Sequence, residues 1–347
     1  MTSHYPLSRR DFLRLSALGL GTLAAGRLLS ACSPAPASTT SAPLPASPLA
    51  ATQAATQGVA AAASTATSSI APAPTGSQAY LAVAHGADPS AMDKAALASL
   101  GGIERFVKKG QDVIIKPNIC TDYHPPEYAT TTNPALVAAL VTLCLGAGAK
   151  RVRVMDSPFP GISATSAYAV SGIEEAVKAA GGEMEVMSPI KFAKFDIPQG
   201  KSIKTWQIYR DILETDVLIN VPIAKDHSLA RLTLGGKNML GVIPNPENIH
   251  MDLGQRIADL VSRIHPKLTV VDAYRILMDH GPTGGSLNDV KQANMIIASH
   301  DIIAADAFAA TLFGLTGADI SYIQKGADMG LGTLDLKSIK VEEVNVS

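Results

Sequence analysis

The chain is poor in the residues that most often announce a chemistry. Only 3 of its 347 residues are cysteine. No C-x-x-C pair occurs, which excludes a cysteine-ligated iron–sulfur cluster and a disulfide framework within the chain. Aromatic residues amount to 5% with a single Trp, and the formal net charge is -1. Without a basic stripe or an aromatic array, nucleic-acid binding is disfavoured. The G-x-G-x-x-G dinucleotide fingerprint, the G-x-S-x-G nucleophile elbow and the H-E-x-x-H zinc pair are all missing.

A second absence concerns residues 33–78. They contain no charged and no aromatic residue, only small, polar and Pro-rich sequence. Such a stretch buries too little apolar surface to offset its chain entropy, so it is expected to be a disordered tether. What precedes it is informative. Arg9 and Arg10 stand before a weakly apolar Gly/Ala/Leu run that ends in Leu29-Ser30-Ala31-Cys32. This pattern predicts a twin-arginine export signal with a lipoprotein cleavage box over residues 1–32. Arg14 and Arg27 count against an uncleaved membrane span. The expected partners are the twin-arginine translocase during export and then a membrane, held through a lipid on Cys32. The expected location is extracytoplasmic, on the cell membrane or the outer membrane.

Residues 79–347 carry the fold and are expected to form one domain. Ala79–Ala84, Asp112–Lys116, Arg151–Met155, Met184–Met187, Asp216–Val221, Leu268–Asp272 and Asn294–Ala298 read as strands. Helices are expected between them. Asp88-Pro89-Ser90 and Asn133-Pro134 supply N-terminal signals, a capping side chain followed by Pro. The alternation and the near-continuous apolar strands predict an α/β fold, a mostly parallel sheet with helices on both faces. Phe192–Ile208 interleaves Lys with Ile, Phe and Trp206, which predicts an inserted or edge antiparallel hairpin.

Ligands of open α/β sheets bind beyond the carboxyl ends of the strands. That rule selects Lys116 and Asn118 after one strand, Asp156 and Ser157 after the next, Lys225 and His227 after a third, and Asp272 after a fourth. The loop Leu234–Gly241 adds Gly235, Gly236, Lys237 and Asn238. It is not a Walker loop, because Arg231 and Asn238 occupy the positions of the first Gly and the Ser/Thr. Its glycines nevertheless allow backbone N–H groups to approach an anion. His227, His250 and His280 with Asp252 are minority candidates for a divalent metal, assembled across distant loops.

Several stretches together resemble the prokaryotic family called domain of unknown function 362. They are Val113–Asn118, Thr132–Gly148, Asp156-Ser157-Pro158, Val217–His227, Leu234–Gly241 and Ser299–Ala307. Many members carry a ferredoxin-like cysteine run that binds iron–sulfur clusters; this chain lacks it. The resemblance implies a boundary and a set of positions, and no particular activity.

The residues predict a site for a small anionic ligand, a carboxylate or phosphate. Lys116, Lys225 and Lys237 would neutralise it, and Asn118 and Asn238 would orient it. In a catalytic version His227 exchanges a proton near its ordinary pKa of about 6.5, with Asp156 or Asp272 orienting it or holding a divalent ion. A non-catalytic solute-binding lipoprotein and a metal-dependent redox protein are the alternatives.

Overall fold

The computed structural model describes residues 78–347. The expected export signal, Cys32 and the expected tether through residue 77 lie outside the described residues. Twelve strands account for the β structure: β1 (Leu81–His85), β2 (Asp112–Pro117), β3 (Arg151–Val154), β4 (Glu183–Met184), β5 (Phe192–Asp196), β6 (Thr205–Tyr209), β7 (Val217–Val221), β8 (Ile223–His227), β9 (Arg231–Thr233), β10 (Leu268–Leu277), β11 (Val290–Ser299) and β12 (Val341–Asn345). Ten join one sheet whose main path is β12-β1-β11-β10-β7-β2-β3-β4, with β8 and β9 branching from β10. The run β10-β7-β2-β3-β4 is parallel throughout. Only β11 runs against its two neighbours, and β9 against β8. The expected parallel sheet is therefore present. The expected hairpin is present too, as β5 and β6, a separate antiparallel pair in which Phe192 faces Tyr209.

The helices start where their caps dictate. Asp88 accepts the Ser90 N–H and Pro89 opens α1 (Pro89–Ser99). Asn133 accepts the Ala135 N–H and Pro134 opens α2 (Pro134–Gly146). Each cap satisfies a donor that the first helical turn cannot. Shorter helices α3 (Ala164–Val170), α4 (Ile173–Ala179), α5 (Arg210–Glu214) and α6 (Gly235–Asn238) follow. The last three are α7 (Leu253–Ile264), α8 (Ile302–Ala310) and α9 (Ser321–Asp328).

Strand alternation divides the interior into two cores. Val113 and Ile115 of β2 pack with Met92 and Leu97 of α1, with Leu136 and Leu140 of α2, and with Ile173 of α4. Ile114, on the other side of the same strand, packs with Ile257 and Leu260 of α7, Ile302 of α8 and Tyr322 of α9. Helices thus cover both faces. Lys116 continues the Ile114 face and emerges at the carboxyl end of β2.

Two departures from the expected elements matter for function. Asp226 and His227 belong to a strand, β8, that folds back on β9 with His227 opposite Arg231. Strand β10 does not stop at Asp272 but continues to Leu277, with a bulge between Ala273 and Arg275. Continued pairing with the long antiparallel β11 extends it. Asp272 is consequently a mid-strand residue.

Candidate functional site

Beyond the carboxyl ends of β2, β3 and β8 lies a cavity of about 920 Å³. Lys116, Asn118, Asp156, Ser157, Lys225, His227, Lys237, Asn238 and His250 all line it. Most of the residues selected on the strand-end rule therefore meet in one hollow.

Its deepest feature is an ion pair. Lys116 Nζ stands 2.7 Å from Asp156 Oδ1, with both side chains buried. The same ammonium donates to Pro117 O at 3.0 Å and Asn238 Oδ1 at 2.8 Å. Asp156 also accepts the N–H groups of Ile119 (2.6 Å) and Ser157 (2.9 Å). Burial pulls the lysine pKa down and the aspartate pKa up, and the pairing opposes both shifts. Gly241 closes over this pair. A Cβ there would stand 2.0 Å from Asp156 Oδ1 and 2.6 Å from Lys116 Nζ.

A relay of amides fixes the polar groups beside the pair. Asn220, opposite Lys116 in the register of β2 and β7, donates from Nδ2 to Gly235 O at 3.1 Å. Its Oδ1 then accepts from Asn238 Nδ2 at 2.9 Å. Asn238 Oδ1 in turn accepts from Lys116 and, at 3.0 Å, from Asn118 Nδ2. Each amide orientation follows from its neighbour, and the last leaves Asn118 Oδ1 buried without a partner.

The other two lysines differ in their partners. Lys225 Nζ donates to Thr130 O at 2.6 Å, Pro282 O at 2.9 Å and Cys120 Sγ at 3.2 Å, none of them a carboxylate. Lys237 takes part in no hydrogen bond or ion pair among the described residues, and it lines the cavity. Burial, then the charge of Lys225, lower its pKa to about 8. Glu247 also lines the cavity but is exposed, at the outer end.

His227 does not match the proton-exchanging role expected of it. Its Nδ1 accepts the N–H groups of Leu229 (3.1 Å) and Ala230 (3.3 Å). Burial first, then Lys237, Lys225 and His250, push its pKa down to about 3. The ring is neutral at physiological pH, with its proton on Nε2, and acts as a hydrogen-bond donor.

Five expected positions stand elsewhere. The Gly235 and Gly236 N–H groups do not face an open anion site: they donate to the buried carboxylate of Asp306 at 2.6 and 2.8 Å. Asp306, pushed up to about pKa 7 by burial, already occupies the place assigned to a ligand. Asp272 does not line the cavity. It accepts the Asn133 N–H at 2.7 Å and the Tyr274 N–H at 3.1 Å, where α2 begins. His280 is exposed and lies 3.1 Å from Asp289, and Asp252 is exposed at the start of α7. Neither reaches the cavity. Among the described residues no three His, Cys, Asp or Glu side chains gather as a metal would require. Cys120 and Cys144 are free and buried.

Sequence reasoning missed Asn220, Gly241 and Asp306. Asn220 and Asp306 were visible as lone polar residues inside apolar runs, where burial demands a partner. Gly241 left no comparable signal.

Residues 113–311 match the protein family described as Domain of unknown function (DUF362). The chain belongs to that family. Within DUF362, the matched segment holds β2 through α8 and every lysine of the cavity. A thylakoid-associated protein of Synechocystis sp. is 26% identical over 250 residues, covering 68% of this chain and 73% of that protein. The lactate racemase apoprotein from Thermoanaerobacterium thermosaccharolyticum aligns with a TM-score of 0.41 at 12% identity. That alignment covers 63% of this chain and 54% of the racemase, so the chain spans about half of it.

Proposed function

We propose that this DUF362 cavity binds an anionic ligand bearing a carboxylate or phosphate. The observation that carries the proposal is Lys237, a half-buried ammonium that lines the cavity and has no hydrogen bond or ion pair among the described residues. Lys116 is neutralised by Asp156; Lys237 is not, and Lys225 meets only carbonyls and a thiol. An unpaired cation that has lost much of its water is destabilised, and a bound anion offsets that loss. His227 donates from Nε2. Asp156 and His227 are both committed to backbone amides, which favours holding and orienting over acid–base turnover. The ligand's anionic group sits near Lys237 and Lys225.

A thermal-shift series with phosphate and short carboxylates tests this. Saturating anion is expected to raise the melting temperature of the native chain and not that of Lys237→Ala, while Lys237→Arg retains part of the rise. An equal rise in Lys237→Ala would refute the assignment.

The site is also proposed to work outside the cytoplasm, tethered by the lipid on Cys32 after twin-arginine export. No helix among the described residues is long and apolar enough to cross a membrane. Cys32→Ser is expected to move the protein from the membrane fraction to the soluble one, and replacing Arg9 and Arg10 with Lys to block its export. Retention of Cys32→Ser in the membrane fraction would count against the lipid.

A further inference from the structure

The cavity is larger than a simple anion requires. At about 920 Å³ it lies near the top of the range for small-molecule pockets, about 300–1,000 Å³. A bare phosphate or a short acid would leave most of it to water. Apolar side chains line much of the rest: Met187, Phe192, Leu240 and Ile243 with several prolines, beside the polar Gln207, Thr233 and Glu247. The polar groups are not spread evenly. Lys116, Asn118, Asp156, Lys225 and Asn238 are all buried, which places them at the floor.

The outer end has a different character. Leu229 lines the cavity and is 62% exposed. Ile190, directly after the lining Pro189, is 90% exposed, and Met251, directly after the lining His250, is 88% exposed. Of these three, Leu229 adds exposed apolar surface to the cavity lining itself.

We infer that the ligand is an anionic amphiphile: a carboxylate or phosphate head near Lys237 and Lys225, and a hydrocarbon tail along Met187, Phe192, Leu240 and Ile243 toward the mouth. The inference rests on the anion-site reading above and adds the ligand class to it. The shared chemistry is one anionic head on one alkyl chain. A fatty acid and a lipid-derived alkyl phosphate both supply it.

Calorimetric titration of the full-length Cys32→Ser chain, without detergent, separates the possibilities. The probes are butyrate, octanoate and dodecanoate, the matching alkyl phosphates, and inorganic phosphate, each below its micelle concentration. Affinity is expected to rise about fourfold per methylene until the cavity is filled. The head with the tighter series identifies the source. Lys237→Met should weaken every member by a similar factor and keep the slope. Phe192→Ser, and independently Ile243→Ser, should reduce the slope and leave phosphate affinity unchanged. Equal affinity for butyrate and dodecanoate would overturn the tail while leaving the anion site standing. A slope that neither Ser variant alters would also overturn it. If neither phosphate nor any carboxylate binds, the anion site itself fails.

Discussion

Lys116 and Asp156 meet at 2.7 Å, each with almost no access to solvent. They come from the carboxyl ends of neighbouring parallel strands, and Asn238 and two backbone amides complete their shells. Such a pair orders the floor of the cavity more than it stabilises the fold, because desolvation consumes most of its Coulomb energy. Removing one partner has a different consequence, since the other is left charged and buried. Asp156→Asn or Lys116→Met is therefore expected to cost about 3–5 kcal/mol in chemical denaturation. The Lys116→Met/Asp156→Leu double variant should recover much of that. A double variant as unstable as the sum of the singles would show that the pair does not act as a unit.

Ligand affinity should fall with rising pH through the titration of Lys237. The free ammonium has a pKa of about 8, lowered mainly by burial. Below that value it is charged and attracts an anion; above it, binding must first recover a proton. With a carboxylate ligand, whose own charge is constant over this range, affinity should decline towards tenfold per pH unit above pH 8. Lys237→Arg should stay flat to higher pH. A wild-type profile as flat as that of Lys237→Arg would remove Lys237 from the site.

Gly241→Ala should damage the site without touching any charged residue. The added methyl would stand 2.0 Å from Asp156 Oδ1, so either the ion pair or the loop must shift. The expected cost is about 1–3 kcal/mol, accompanied by loss of anion-induced stabilisation. Full retention of that stabilisation would mean the loop moves freely.

Asp93 gives a prediction away from the cavity. Its carboxyl is fully buried in α1 with neither oxygen hydrogen-bonded, and burial holds its pKa well above the ordinary value. The folded chain keeps a proton there that the unfolded chain releases above about pH 3.9. Stability from this group is thus full below the unfolded pKa and is lost as pH rises towards the folded one. Asp93→Ala should raise stability at pH 7–8 by at least about 1 kcal/mol and remove that part of the slope. A destabilised variant at pH 8 would indicate a partner for the carboxyl.

Much of the architecture was legible along the chain. Apolar runs such as Val113–Ile115 and Val217–Ile219 mark strands covered on both sides. Asp88-Pro89 and Asn133-Pro134 mark helix starts, because capping is satisfied within a few residues. The strand-end rule located Lys116, Asp156 and Lys225. It also selected Asp272, which stays out of the cavity for a reason visible in the strand parity. Val271 and Ala273 share the core of Ile114, while Val270 packs in the other, so Asp272 and Lys116 project from opposite faces of the sheet.

The order of elements, the export pattern and the polar residues at strand ends belong to the amino-acid string, since each depends on neighbours a few positions away. Which of those residues remains available to a ligand was decided only in three dimensions. Asp306, 70 residues beyond Gly236, filled the glycine amides; Asp156, 40 beyond Lys116 by number, neutralised that lysine; Lys237 alone among the three found no acceptor. Charge state and hydrogen-bond satisfaction are set by distance through space, and the tertiary fold supplies that distance.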